Sequence, residues 1–459
     1  MTLRSRHRTT PGPKLAAAAA GLLCLLLFSL NHLGIQTTDD IATLASAGAL
    51  WDEHTLAIPH LQAFDEQVDI GRLGRGGHLY SKYGLAQTLL AAALYGFGDT
   101  LLPDAGAFEW AGYTIARSAA GVAAAEVVNI LLGSLTVAVV VHELARCSGL
   151  RVAAAGGMML AVASPLWLAS RGFGTESGAA LALLLATVCA RRTLSNEGMP
   201  LWRAAAWVGV AALFRPSALA FSPALLLWLW RRPRREWLAT AGVLAATLAA
   251  LLGYNWLRFG ALFETGYGDG GSSFALHLDG LAGFIAAPGR SLLLFAPWTL
   301  LLVPAMHCLR PPQRGWALGT LAGIIAFFAA HCLWREWHGG WAYGPRLLVP
   351  LLPAIALLVS EEMLRFPRAS LLIFALGSFL QALTLPFDPL LTHHAVIGSH
   401  ITFEQSVWSP VHSITVQQFK AAAASGRVLW VVLWAALLFG CLFVLTATPP
   451  HHRLEPAQE

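Results

Sequence analysis

Long apolar runs, punctuated by short arginine-bearing segments, recur from one end of the chain to the other. A membrane-crossing helix needs about 20 mostly apolar residues, and the connections on the cytoplasmic side collect Arg and Lys. The first run, Leu15 to Leu33, follows Arg4, Arg6, Arg8 and Lys14 and lacks a small-residue cleavage site. It reads as an uncleaved first helix with its N-terminus inside. The later basic clusters are Arg146 with Arg151; Arg191, Arg192 and Arg203; Arg231, Arg232, Arg234 and Arg235; Arg310 with Arg314; Arg365 with Arg368; and Arg453. If all are cytoplasmic, two crossings must separate each from the next.

That requirement decides two ambiguous stretches. A single crossing between Leu201 and Trp230 would put Arg203 and the four-arginine cluster on opposite sides, so the run is split into a short hairpin turning at Arg215-Pro216. The run from Leu85 to Phe97 is short for a crossing, and counting it as one would invert every later loop. It reads as an interfacial or re-entrant helix. The expected architecture is an all-α polytopic membrane protein of about 12 transmembrane helices with both termini cytoplasmic. The predicted spans are 15–33, 118–143, 151–169, 177–190, 202–214, 217–230, 237–256, 291–309, 316–333, 346–362, 369–385 and 428–447. The outer, periplasmic face then owns a large first loop, 34–117, with juxtamembrane helices, and further loops at 257–290, 334–345 and 386–427. No internal repeat stands out, which argues against a transporter built from two related halves.

Composition agrees: 56% of residues are hydrophobic, 12% are charged and mean hydropathy is +0.60, so lipid is the solvent for most of the chain. The formal charge of +5 does not point to nucleic acid, because the basic residues, all arginine apart from Lys14, Lys82 and Lys420, are spread over loops rather than gathered in a stripe. Six scattered cysteines support neither a disulfide framework nor a zinc site.

Candidate chemistry gathers in the outer loops. Thr37-Thr38-Asp39-Asp40-Ile41 follows the first helix, and a carboxylate there can act as a general base, bind a divalent cation, or merely cap a juxtamembrane helix. Gly77-His78-Leu79-Tyr80-Ser81-Lys82-Tyr83-Gly84 presents a cation and two phenols, or else an interfacial aromatic belt with a snorkelling lysine. Phe259-Gly260-Ala261-Leu262-Phe263-Glu264-Thr265-Gly266-Tyr267-Gly268 is dense in glycine, and Pro288-Gly289-Arg290 places an arginine where a phosphate can be gripped. The most distinctive segment is Trp334-Arg335-Glu336-Trp337-His338-Gly339-Gly340-Trp341-Ala342-Tyr343-Gly344-Pro345-Arg346, a platform for a sugar or phosphate, or an interfacial belt. His54, His60 and His78 match no metal-ligand spacing, and neither His393-His394 nor His451-His452 adds one, so no metal site is assigned. Glu126 and Asn129 are polar groups at membrane depth, facing a cavity or a partner helix.

Taken in order, the Asp-Asp after the first helix, Gly77 to Gly84 before a short apolar helix, Arg117, Phe214-Arg215-Pro216, the glycine-rich 259–268 segment, Pro288-Gly289-Arg290 and Trp337 to Arg346 resemble bacterial members of the GT-C superfamily. These are multi-pass glycosyltransferases, such as mannosyltransferases and aminoarabinose transferases, that use polyprenyl-phosphate-linked sugars. The resemblance spans nearly the whole chain, and it implies a single integral membrane domain over residues 1–459 in a bacterial inner membrane.

The same resemblance implies an inverting transfer. Asp39, with Asp40 its neighbour, takes the place of the catalytic acid motif and deprotonates an acceptor hydroxyl of a lipid, glycan or protein. Arg346, Arg290, Lys82 and Arg117 are the candidates for the donor phosphate, and Tyr80, Tyr83, Glu264, Tyr267, Trp337, Trp341 and Tyr343 for the sugar or acceptor. Two other classes stay open: a lipid-linked glycan flippase or transporter, and a non-catalytic envelope-assembly protein.

Overall fold

The computed structural model describes residues 12–30, 32–35, 37–267, 274–275, 278–309, 311–386, 398 and 400–447. Arg4, Arg6, Arg8, Gly268, Arg310, His393, His394, His451, His452 and Arg453, used in the sequence reading, lie outside the described residues.

The chain enters through α1 (Pro13–Ser29) and then builds a small subassembly from the predicted first loop: α2 (Thr38–Asp52), α3 (Gln62–Val68), α4 (Leu85–Leu101) and α5 (Ala119–Glu126). Two hairpins that the apolar pattern does not announce complete it, β1 (Gly71–Leu73) with β2 (Leu79–Ser81) and β3 (Phe108–Trp110) with β4 (Tyr113–Ala116). Strands of three or four residues are too short for a period-2 pattern to register. The apolar faces of these helices converge on Ile41, Leu44, Ala45, Phe64, Tyr95 and Val122, a core of their own.

The bundle follows as α6 (Val128–Cys147), α7 (Leu150–Val162), α8 (Leu166–Arg171), α9 (Glu176–Leu194), α10 (Trp202–Phe214), α11 (Pro223–Leu229), α12 (Arg234–Phe259), α13 (Asp279–Ala286), α14 (Leu292–Phe295), α15 (Leu302–His307), α16 (Pro311–Leu333), α17 (Leu352–Arg365), α18 (Pro367–Ala382), α19 (Phe403–Trp408), α20 (Ile414–Ala424) and α21 (Val428–Ala447). α1 lies along α6, α9 packs between α6 and α10, and α17 packs on α7 and α9. Each predicted crossing coincides with helical segments, and the short apolar stretch 85–97 is the helix α4.

Several predicted crossings are broken rather than continuous. Among the described residues, five helices, Ala119–Cys147, Glu176–Leu194, Arg234–Phe259, Gln313–Leu333 and Arg346–Arg365, are each long and apolar enough to span a bilayer. A sixth results if α20 and α21, bent by 112°, form one span. The segment predicted as 291–309 is divided into α14, a 3-10 turn at Pro297–Leu301 and α15, because Pro297 and Pro304 each remove a backbone donor. The predicted turn at Arg215-Pro216 is present: α10 ends at Phe214, Arg215 is extended and Pro216 opens a 3-10 turn.

Candidate active site

Thr37 starts α2 with a capping box. Its hydroxyl accepts from the Asp40 amide at 3.3 Å, and the Asp40 carboxylate accepts from the Thr37 amide at 2.9 Å. Adjacent helical residues point about 100° apart, so committing Asp40 to the cap turns Asp39 elsewhere. One oxygen of Asp39 accepts from the Tyr83 hydroxyl and the other from Nη2 of Arg346, at 3.1 Å. Asp39 thus joins the start of α2, the strand-to-helix turn before α4 and the first residue of the 346–365 segment.

These residues line a cavity of about 440 Å³ with Lys82, Glu176, Arg215, Tyr267 and Gly340. A recess of about 80 Å³ beside it shares Asp40, Glu176 and Arg346 and adds Trp341 and Tyr343. Three ion pairs ring the larger cavity: Arg346 with Asp39 at 3.1 Å, Arg215 with Glu176 at 2.8 Å and Lys82 with Asp69 at 3.3 Å. Glycine permits the close assembly of the wall. A Cβ on Gly84 would run into the backbone carbonyls of Leu213 and Phe214, so the Lys82-Tyr83 turn lies directly against the turn that carries Arg215. Gly266 has φ +87°, and a side chain there would meet Cβ of Lys82 at 2.8 Å.

The electrostatics follow from this packing. Burial alone would raise the Asp39 carboxyl, but the Arg346 guanidinium and the hydrogen bonds from Tyr83 and Arg346 outweigh it and hold the group below the usual carboxylate range. The same carboxylate, added to burial, raises Tyr83 well above an ordinary phenol and pushes Tyr267 up to about 12. Burial, with Arg290 and Arg346 nearby, lowers His338 to about 4. The resting site is therefore an ionised Asp39, two neutral phenols and a neutral imidazole. Its side chain remains 31% exposed, so Asp39 is reachable from the cavity.

The other expected site residues separate into two groups. Lys82, Tyr83, Tyr267 and Arg346 line the larger cavity with Asp39 and Asp40, and Trp341 and Tyr343 line the recess. Arg290 does not present a free cation. It is fully buried, and its guanidinium donates to the carbonyls of His338 at 2.8 Å, Gly289 at 2.8 Å and Gly340 at 2.6 Å, bracing the Gly339-Gly340 turn. Trp337 is also core, wedged against Phe284, His338 and Trp408. Tyr343 is buried on Phe295 with its hydroxyl donating to the Leu380 carbonyl at 2.7 Å. Tyr80 sits edge-on to Phe259, Glu264 faces Arg72 at 3.6 Å, and Arg117 is largely exposed and pairs with Glu53, all away from the lining. A residue's place in a loop does not reveal which way its side chain turns, and burial of an arginine with three carbonyl partners cannot be read from spacing.

Glu176, Asp69, Arg215 and Glu336 are the lining charges that motif reading missed as site residues. Arg215 stands in a noted break, but Glu176 opens an ordinary apolar helix. Asn129 helps position it: its amide donates to the Gly174 carbonyl at 2.6 Å and accepts from Gln87 at 3.2 Å, while Gln87 also donates to the Phe173 carbonyl at 3.0 Å. Glu126 accepts from the Ile35 amide at 3.1 Å, pinning the exit of the first helix. Among the described residues, no three His, Cys, Asp or Glu side chains group as metal ligands.

Two crystal structures of ArnT from Cupriavidus metallidurans, one bound to undecaprenyl phosphate and one in the apo state, are similar to this chain. Their TM-scores are 0.52 and 0.51 at 14% identity, over 94% of this chain and 76% and 75% of theirs. The likeness gives the fold: a predominantly helical, polytopic membrane architecture like that of ArnT. No family model matches the sequence, and no curated protein is similar to it.

Proposed function

We propose that the chain is an inverting glycosyltransferase. It moves a sugar from a polyprenyl-phosphate donor to a hydroxyl of a lipid, glycan or protein acceptor at the periplasmic face of a bacterial inner membrane. Both termini are cytoplasmic in this reading, and residues 1–459 act as one GT-C-like domain. The observation that carries it is an ionised carboxylate, Asp39, on the wall of an open cavity with Arg346 bonded to it and Lys82 on the same wall. The undecaprenyl phosphate bound by ArnT, a protein of the same fold, supports a polyprenyl phosphate as the carrier.

In the transfer, the acceptor oxygen bonds to the anomeric carbon and gives its proton to Asp39, while the carbon–oxygen bond to phosphate breaks with its electron pair leaving on the phosphate. Attack opposite the leaving group inverts the centre. Charge grows on the departing phosphate, and Lys82 and Arg346 stabilise it inside a partly desolvated cavity. Arg346 couples the two ends of the reaction. When it turns toward the phosphate, Asp39 loses a cationic partner and becomes a stronger base only in the presence of donor. Tyr83, Tyr267 and Trp341 offer faces and edges for the sugar.

The test is transfer of labelled sugar from a polyprenyl-phosphate donor pool to endogenous acceptors, comparing wild type with Asp39→Asn at matched membrane expression. Loss in the mutant alone supports the reading. Full activity in Asp39→Asn removes Asp39 as the base, and no transfer by wild type removes the donor class.

A further inference from the structure

A second built pocket lies at the other end of α9. Glu176 of the cavity opens this helix and Arg191 lies in its last turn, roughly 22 Å further along the axis at 1.5 Å per residue. There Arg146, Arg191, Ser195, Glu197, Gln313 and Trp316 line a pocket of about 290 Å³, the Glu197 carboxylate being held by Arg146.

Most charges around it are matched. Arg192 and Arg146 share Glu143, and Arg146 also forks onto both oxygens of Glu197 at 2.9 and 3.0 Å. Arg191 stands outside this network. It is only 8% exposed, its Nη1 is buried and has no hydrogen-bond partner, and its guanidinium lies 5.0 Å from the centre of the Trp316 ring. Trp316 is itself fixed, its indole donating to the Thr187 carbonyl at 2.9 Å. The N-terminal turns of α16 supply Gln313 and Trp316, while Arg146-Cys147 and Arg191 lie in the last turns of α6 and α9, so the helix dipoles oppose one another here and the positive field comes from the guanidinium groups. A buried donor left unmatched beside an open pocket is costly unless a ligand completes it.

We propose that this pocket binds a phosphate group, supplied by the headgroup of an anionic phospholipid or by a soluble phosphate. A buried guanidinium beside an indole ring presents its donors to phosphate oxygens with little entropy left to lose. The basic clusters place this end of the bundle on the cytoplasmic side, where anionic headgroups lie at the level of the helix ends. The site is remote from Asp39 and does not depend on the transferase reading.

The full chain in detergent is titrated with inorganic phosphate and followed by thermal unfolding, and separately reconstituted in phosphatidylcholine nanodiscs with and without phosphatidic acid, with bound lipid read by native mass spectrometry. Saturable phosphate binding that weakens at least about tenfold in Arg191→Gln, but not in the exposed-charge control Arg314→Gln or the cavity variant Lys82→Ala, identifies a soluble anion site. Retention of phosphatidic acid by wild type and Arg191→Lys but not Arg191→Gln, without a response to inorganic phosphate, identifies a headgroup site. Failure of wild type to bind either probe overturns the proposal without reference to any variant. Equal binding by Arg191→Gln, or binding abolished by Lys82→Ala, overturns it as well.

Discussion

Nη2 of Arg346 lies 3.1 Å from Oδ2 of Asp39, although 307 residues separate them in the chain. The adjacent Asp40 faces its own helix cap. The pair therefore distinguishes two neighbouring carboxylates that look alike in the sequence.

If Asp39 is the general base of the proposed transfer, Asp39→Asn removes the proton acceptor at nearly constant shape and sugar transfer falls by about 10²- to 10⁴-fold. Asp40→Ala instead loses its part in the capping box, lowering stability by about 0.5–2 kcal/mol while transfer per folded molecule is retained. Activity assays normalised to folded protein, with thermal unfolding alongside, separate the two.

Arg346→Gln raises the Asp39 pKa, because burial then acts with less opposition. In wild type the folded-state value is depressed, so the stability this group adds is present above the unfolded carboxylate pKa and is lost as pH falls through the folded value. The acid limb of the transfer rate accordingly moves to higher pH in Arg346→Gln. An unshifted limb in a pH–rate profile of a residually active variant refutes the coupling.

Trp337→Ala excavates a buried contact with Phe284 and Trp408 and costs about 3–5 kcal/mol, whereas Trp337→Phe keeps most of the packing and transfer continues. A selective rise in donor KM for Trp337→Phe, with unchanged thermal stability, would return this residue to the sugar site.

Arg290→Lys cannot reproduce a planar fork onto three carbonyls, so the Gly339-Gly340 turn loosens and transfer falls together with stability. Arg117→Ala, by contrast, deletes an exposed ion pair and changes stability by less than about 1 kcal/mol, with transfer unaltered. Thermal unfolding and transfer rates measured on both variants check the contrast.

The helical architecture was legible because lipid imposes a simple rule on composition, and the charge argument expects a short helix at 85–97 and a turn at Arg215. The structure has both, as α4 and the break at Arg215. What the pattern missed were interruptions caused by single prolines, as in 291–309, and the two hairpins of the first loop. At the site, Asp39 was legible as a carboxylate just after the first helix, and Lys82, Tyr83, Tyr267 and Arg346 as polar groups near glycines. The inward turn of Arg290 and Trp337 was not, because their partners are backbone carbonyls and rings from distant segments. Glu176 escaped notice because its partner, Arg215, is 39 residues away.

The long separation between Asp39 and Arg346 also sets a timetable for biosynthesis. At roughly 5–20 residues per second, a ribosome delivers Arg346 about 15–60 s after Asp39. Until then, Asp39 lacks the guanidinium that offsets its burial in the finished site, and the cavity lacks its far wall. A chain halted partway through membrane insertion therefore has no closed cavity. The cavity is complete only when one of the last walls of the bundle closes over one of the first residues to leave the first helix.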